Sequence, residues 1–466
     1  MSGNVALRLE TSARRYSDKR VVFRGDEALD WRTLDGRSGA VAAVLRDRGV
    51  GSGHRLALAL DDPLHMVIAV IAGLKAGAAV APLNSRLSDD ERARIITDLR
   101  PALVFDALPE GTADVTATTV DDSDGAIILY TSGSTGRPKG VLLSHGAVAA
   151  GLDIWIDDVM ALTPDDVMLS ALPLAHSFGL FGTVLSPLQV GASTVLVPRF
   201  TPEDTLAAIG RWRPTVFPGV STMFRRVLDC PQRSETDFSS LRIAISGAAP
   251  CPWALAEEWR HKTGLRIVRG YGMSELFRPI SFSARDAEEE PDSIGHALGG
   301  VKLRIVDDDG NALGDDEVGE LWIRSPACLT EYLGQPEETR AVLQDGWFKT
   351  GDLATLSGNG LVRIVGRKKE IILRGGYTVA AGEVESVLMT HPEVLEVAVI
   401  GVPHTDLGEE IRAYIALKPG VQMVPEDIVA WARQHLANYK YPREVRLCAD
   451  LPHTATGKVD KARLPA

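Results

Sequence analysis

The segment Ala126 to His145 reads AIILYTSGSTGRPKGVLLSH and concentrates groups that can hold a polyanion. It carries hydroxyls at Thr131, Ser132, Ser134 and Thr135, glycines at Gly133, Gly136 and Gly140, and a cation at Lys139. Glycines let the backbone turn sharply and bring N–H groups close to an anion, hydroxyls add donors, and a lysine supplies a point charge. The closing Pro138-Lys139-Gly140 departs from the Walker pattern, which ends on Gly-Lys-Ser/Thr. On composition alone, a phosphate cradle and a flexible surface loop both fit.

Five further groupings could do chemistry. In Arg269 to Glu275, RGYGMSE, the glycines Gly270 and Gly272 flank Tyr271, which can present its ring face to a planar base. Met273 and Ser274 follow, and Glu275 offers a hard oxygen ligand suited to Mg²⁺. Ser246-Gly247-Ala248-Ala249-Pro250 ends a predicted strand and alone reads as a tight strand-to-helix turn. Asp352, in Lys349-Thr350-Gly351-Asp352, suits a vicinal diol, although an Asp after Gly is also an ordinary turn residue. The triplet Arg367-Lys368-Lys369 and the tail element Thr456-Gly457-Lys458 supply cations that, unaided, read as solvated.

These residues need elements to position them. Leu56 to Leu60, Ala79 to Leu83, Ala102 to Phe105, Ala126 to Tyr130, Thr194 to Val197, Thr215 to Pro218 and Arg242 to Ser246 read as buried strands. Amphipathic segments such as Thr201 to Trp212 and Pro252 to Thr263 lie between them, which predicts crossover units and mostly parallel sheets. From about Val301 the strands Leu303 to Val306, Gly319 to Ile323 and Leu361 to Val365 are joined by acidic and Gly-rich turns, as in a smaller antiparallel sheet. Beyond the basic triplet come a Gly-rich loop, a helix from Glu383, strands at Val397 to Val402 and Tyr414 to Leu417, and a helix from Pro425 to Leu436. That α+β unit of about a hundred residues is large enough to fold alone, and the boundary falls at Lys368/Lys369.

Length and charge narrow the class. The chain has 466 residues. At roughly 150 residues per domain, that suggests about three packing units. Lys and Arg number 50 against 62 for Asp and Glu, a net charge of −12, so a nucleic-acid binder is not the default. Cys230, Cys251, Cys328 and Cys448 are widely spaced without a CxxC pair, which favours a reducing compartment over a disulfide framework or zinc site. The apolar stretch Leu64 to Leu83 contains His65 and Lys75 and reads as a buried helix followed by a strand. With no signal-peptide pattern in Met1 to Glu10, the expectation is a cytoplasmic soluble protein without a membrane span.

Thr131 to Gly140 resembles the signature loop of the adenylate-forming superfamily, which includes acyl-CoA synthetases, nonribosomal-peptide adenylation domains and luciferases. RGYGMSE, then WFKTGDL at Trp347 to Leu353, GRKKEIILRGGYTVAAGE at Gly366 to Glu383 and LPHTATGKVDKARL at Leu451 to Leu464 follow in the family's order. The resemblance implies a large α/β N-terminal domain over 1–368, with two parallel-type sheets with helices plus a small distorted β-barrel. A small mobile α+β C-terminal domain would cover 369–466. It further implies that Tyr271 stacks on adenine, that Gly247 to Ala249 line it, and that Ser274 contacts phosphate or acyl oxygen. Glu275 would hold Mg²⁺, Asp352 the ribose hydroxyls and Arg367 the ribose and α-phosphate. Lys369 would be the position about which the small domain swings. Lys458, not Lys461, would enter the site and stabilise the adenylation transition state.

The reaction implied uses ATP and coenzyme A: a carboxylic acid attacks the α-phosphate, and a thiol then expels AMP. The Gly375-Gly376-Tyr377 loop would lie beside the pantetheine tunnel. His176, in Leu174 to Gly179, resembles the gating His of acyl- and aryl-CoA synthetases, or else caps the helix that follows. The acid that pairs with an amino-acid substrate in relatives is absent there, since the segment has Ala175 and His176. A carrier protein is the alternative acceptor, but the insertion of fatty-acyl-AMP ligases is not seen and the chain is short. Val220, Met223, Ala248, Phe277 and Ile280 adjoin the nucleotide motifs and are pocket candidates. Tyr377 to Glu383 resembles the loop of malonyl-CoA synthetase-like members. Arg278 could meet a second carboxylate of a dicarboxylic acid, yet it falls at no motif position and reads as a surface or structural residue. No feature sets the oligomeric state or the identity of the acid.

Overall fold

The computed structural model describes residues 3–132, 138–286, 289–453 and 459–465, with Ser132 and Thr378 described in backbone only. The loop residues Gly133, Ser134, Thr135 and Gly136, and Lys458 near the end, lie outside the described residues.

The expected alternation is realised as two mostly parallel sheets. In the first, Ile267–Val268, Ile243–Ser246, Val216–Gly219, Val167–Ser170, Ser193–Leu196 and Arg20–Arg24 run parallel, and Glu27–Asp30 closes the edge as an antiparallel hairpin. In the second, Leu103–Phe105, Arg55–Leu58, Ala79–Pro82 and Gly125–Ser132 are parallel, with Pro138–Ser144 and Glu331–Tyr332 added antiparallel. Such strands read as continuous apolar runs because helices cover both faces. The helix Pro63–Ala76 shows how one is set. Asp62 accepts from the backbone N–H of Leu64 (2.8 Å) and His65 (3.2 Å). Pro63 opens the first turn, and Gly77 at φ 85° ends the helix. Its buried Lys75 is neutralised by Asp35 (2.7 Å) and Glu10 (3.5 Å), so the charge does not argue against burial.

The antiparallel part comprises Gly270–Met273, Phe277–Ser281 and His296–Ala297 in one sheet, and Lys302–Val306, Gly319–Arg324, Trp347–Leu356, Leu343–Gln344 and Val362–Arg367 in another. Backbone bonds from Ile294 to Val362 (2.9 Å) and from Val362 to Gly295 (3.0 Å) tie the two together. The chain then turns through a short 3₁₀ segment, Lys368–Glu370, into a sheet of Tyr377–Ala380, Ile371–Arg374, Gly408–Leu417, Val394–His404 and Glu444–Cys448. The helices Ala381–Leu388 and Pro425–His435 cover it through Val384, Leu388, Ile428 and Ala432, a core distinct from that of the larger part.

Two differences from the sequence reading have physical causes. The strand Val394–His404 is longer than expected because a ladder with Gly408–Leu417 carries it through Gly401 and Pro403. The segments Ile154–Met160 and Phe181–Leu185 are π-helical, a rare geometry often found near functional sites, and periodicity gave no sign of it. Among the described residues, no helix is long and apolar enough to cross a membrane.

Candidate active site

Ligands of open parallel sheets bind beyond the carboxyl ends of the strands, and the candidate residues gather there. Val216–Gly219 and Ile243–Ser246 are register partners, so Val220 and Gly247 leave adjacent strand ends, linked by a bond from Gly247 N–H to Gly219 O (3.2 Å). Ile267–Val268, next in the sheet, leads directly into Gly270 and Tyr271. In the second sheet Thr131 pairs with Lys139 and Ser132 with Pro138, so the strands flanking the hydroxyl-rich loop hold its two ends together.

The strands Gly270–Met273 and Phe277–Ser281 form a tight hairpin whose turn presents the buried Ser274 and, beside it, Glu275. Gly272 is required there, because a Cβ would sit 1.9 Å from the Phe277 carbonyl oxygen. Phe277 itself has φ 54°, and Ala248 has φ 63°. Left-handed backbone at residues with side chains is strained and persists where the surroundings enforce it, and both positions border the site.

Two clusters result. In the first, the Tyr271 hydroxyl donates to Asp352 Oδ2 (2.5 Å) and Arg367 Nε meets Asp352 Oδ1 (3.1 Å). Asp352 and Arg367 are directly opposed on neighbouring strands, and Asp352 N–H donates to Thr350 Oγ1 (3.0 Å). Removal from water, and then the charge of Asp352, holds the Tyr271 phenol well above its ordinary range, so it stays a donor. In the second cluster, Tyr332 donates to Glu275 Oε1 (2.9 Å), and the Lys139 ammonium lies 5.0 Å from the Tyr332 ring centroid. Lys139 also pairs with Glu338 (2.6 Å). Burial, with the nearby charge of Glu275, pushes the Cys328 thiol up to about 12, which makes it inert.

The remaining candidates divide. His176 caps the short helix that follows, its Nδ1 accepting from Phe178 N–H (3.2 Å). Met223, Phe277 and Ile280 are buried, while Val220 and Ala248 are half-buried. Gly375 and Gly376, at φ 57° and 84°, form the two-residue turn of a hairpin. Tyr377 beside them is exposed and stacked on Tyr439 (4.5 Å). Arg278 is not a surface residue: it is 5% exposed, because its strand, the second arm of the hairpin, is buried along its whole length between Gly270–Met273 and His296–Ala297. Lys461 is engaged by Glu370 and by Glu385 (2.8 Å).

Sequence reading missed Tyr332 and Glu338. Neither belongs to a motif, and the strand pairing of Tyr332 with Val141 is what carries it to Glu275. An unclaimed aromatic and acid between two motifs, in Glu331-Tyr332-Leu333-Gly334-Gln335-Pro336-Glu337-Glu338, was the available signal.

With this geometry in place, comparison with known proteins is decisive. The profile described as AMP-binding enzyme matches residues 9–121 and 106–333, and that of the AMP-binding enzyme C-terminal domain matches 383–458. The chain belongs to the AMP-binding enzyme family. Within this adenylate-forming superfamily it is similar to a 3-[(3aS,4S,7aS)-7a-methyl-1,5-dioxo-octahydro-1H-inden-4-yl]propanoyl:CoA ligase of Mycobacterium tuberculosis, at 33% identity over 99% of this chain and 98% of that protein. It is 30% identical to a long-chain-fatty-acid–CoA ligase of Yersinia pestis, over 98% of this chain and 92% of that one. The ATP-bound crystal structure of MatB from Rhodopseudomonas palustris superposes with a TM-score of 0.92, at 31% identity over 99% and 98% of the two chains. This family member is an ATP-dependent, AMP-forming acid–CoA ligase, an acyl-CoA synthetase, with the large α/β domain and smaller C-terminal domain of that superfamily.

Proposed function

We propose that the Tyr271–Asp352–Arg367 cluster receives the adenosine of ATP while Lys139 and Glu275 serve the phosphates. The convergence of Tyr271, Asp352 and Arg367 from three strands carries this reading. Asp352 accepts from the ribose hydroxyls, since a carboxylate is acceptor-only and suits a vicinal diol. The Tyr271 ring stacks on the base, and Arg367 sits between ribose and α-phosphate. Lys139, held between the Tyr332 face and Glu338, is released to the triphosphate when that anion outcompetes a single carboxylate.

Glu275 fits Mg²⁺. It provides one hard oxygen donor beside Lys139, and the ion is usually held through one or two carboxylates plus substrate phosphates. Among the described residues the only grouping of three ligand atoms is Glu396, Asp450 and His453, so a cation at Glu275 would arrive with ATP and not in a resident cage. Bound there, it would neutralise charge on the phosphates.

The carboxylate of the acid attacks the α-phosphorus, giving acyl-adenylate and pyrophosphate, with Lys458 stabilising the charge that develops and Ser274 contacting phosphate or acyl oxygen. Residues 369–466 then rotate about Lys369 and bring the Gly375-Gly376-Tyr377 hairpin to the acyl-adenylate. The exposed side chains of Leu373 and Tyr377 support this, as an apolar hairpin tip needs a surface to close on. His176 borders the acyl cleft, with Val220, Met223 and Phe277 as its walls. The thiol of free coenzyme A attacks the acyl carbon and AMP leaves.

A panel of carboxylic acids assayed by ATP–pyrophosphate exchange, each then offered coenzyme A, tests the reading. Exchange followed by thioester is expected. No exchange with any acid overturns it, and exchange without thioester assigns the acceptor to a carrier protein.

A further inference from the structure

Arg278 was singled out in the sequence, and the reaction leaves it unused. Its Nε donates to Ser281 Oγ (2.9 Å) and Nη1 to the Ser246 carbonyl (2.8 Å). Nη2 is buried and, among the described residues, has no hydrogen-bond partner. Among the described residues no carboxylate lies within ion-pair distance of it. Glu289, whose charge it feels, is instead bound by Arg269 (3.0 Å). Burial lowers the guanidinium to about 9, and Glu289 and Cys251 only partly oppose this. A buried cation with an unused donor is among the costliest arrangements in a protein interior. A purely structural brace between two strands explains Nε and Nη1, but neither the charge nor Nη2.

The position supplies the missing reason. A Cβ on Gly247 would lie 3.1 Å from Nη1 and 3.0 Å from the Phe178 ring, and one on Gly270 would lie 2.5 Å from Nη2. Both glycines open segments of the active site, at the strand ends where ligands bind. The guanidinium therefore packs directly behind Gly247 and Gly270, in space that two absent side chains leave to it, and on the reading above these glycines form the cleft wall. Around it the wall is aromatic: Trp155 has the guanidinium 5.5 Å from its ring centroid and meets Phe178 (5.8 Å) and Phe277 (5.3 Å). The π-helical stretch Ile154–Met160 is what presents Trp155. The wall thus combines apolar surface with a single fixed positive charge.

We propose that the acid activated by this enzyme carries a second anionic group, a carboxylate remote from the one adenylated, which Arg278 receives through Nη2 at the cleft wall. The proposal rests on the ligase reading above and names its substrate class. A second carboxylate completes both the hydrogen bond and the charge. A neutral oxo group would complete only the hydrogen bond, and a methyl group would complete neither.

The test measures kcat/KM, by pyrophosphate exchange and by thioester formation, for matched series of unbranched acids. Each chain length is offered as the dicarboxylic acid, the ω-oxo acid, the half methyl ester and the monocarboxylic acid. The diacid of one length is expected to exceed its monoacid by roughly 100-fold or more, as when one partner of a buried, hydrogen-bonded charge pair is removed. In Arg278→Met the diacid-to-monoacid ratio should fall by roughly 100-fold, chiefly through KM, and Arg278→Lys should restore part of it. A structural brace would lower both acids alike, leaving the ratio unmoved and overturning the proposal. If Arg278→Met does not fold, the wild-type series still decides: a monoacid, ester or oxo acid used as well as the diacid overturns it. Exchange with monoacids alone removes this inference and leaves the ligase reading standing, whereas no exchange with any acid removes both.

Discussion

The Tyr271 hydroxyl donates to Asp352 across 81 residues of sequence, at 2.5 Å. This one bond joins the hairpin that carries the aromatic of Gly270-Tyr271-Gly272 to the strand Trp347–Leu356. It leaves Asp352 fixed between a phenol and the Arg367 guanidinium before any nucleotide arrives. Preorganisation of this kind lowers the entropy lost on binding.

Tyr271→Phe keeps the ring and removes that donor. Loss of a hydrogen bond to a charged acceptor is expected to cost about 1.5–3 kcal/mol of stability and to raise KM for ATP more than it lowers kcat. Urea unfolding and ATP titration of pyrophosphate exchange check both, and an unchanged KM would remove Asp352 from the ribose role.

Glu275→Gln should slow acyl-adenylate formation by roughly 100-fold or more, as loss of one electrostatic stabiliser typically does. Tyr332→Phe, which only frees Glu275 Oε1, should cost less and shift the magnesium dependence. Single-turnover adenylation over a magnesium series separates the two, and equal losses would argue against Glu275 as the metal contact.

Lys458→Ala and Lys461→Ala should part company. The first is expected to lower adenylation by about 3 kcal/mol of transition-state stabilisation while sparing thioester formation from supplied acyl-adenylate. The second unpairs Glu370 and Glu385. It should instead destabilise the small domain by about 1–3 kcal/mol. Adenylation left intact in Lys458→Ala would sink the assignment.

Stability should fall as the medium turns acidic, through His145. Its ring is fully buried, its Nδ1 accepts from Val5 N–H (3.1 Å), and burial lowers it from 6.5 to about 4. Below about pH 6.5 the unfolded chain takes up a proton that the native ring refuses, so stability present at neutral pH is lost progressively towards pH 4. Between pH 7 and pH 5 the loss attributable to this ring is about 2 kcal/mol. Denaturant unfolding at both values checks it, and an equal slope in His145→Gln would show that other groups are responsible.

Gly272→Ala places a methyl against the Phe277 carbonyl, a clash that the hairpin can relieve only by moving. Overpacking of this sort costs about 1–3 kcal/mol, and the shift should carry Tyr271 away from Asp352. A lowered melting temperature together with a raised KM for ATP is the expected pair of results in calorimetry and exchange assays.

The chemistry-bearing motifs, their order and the alternation of apolar strands with amphipathic helices were legible in the chain itself. These are local properties, set by residue type and by spacings of two and about 3.6. The change of texture after Val301, and the helices at Thr201 and Pro425, followed from capping and turn chemistry in the same way. What the sequence could not settle depended on pairing between distant segments. Tyr332 reaches Glu275 only because Glu331–Tyr332 adds to the edge of Pro138–Ser144, a register choice that no local pattern encodes. Arg278 read as a surface or structural residue, since most arginines are exposed. It is buried because the whole strand Phe277–Ser281 is covered, and only tertiary packing decides which arm of a hairpin is covered on both faces.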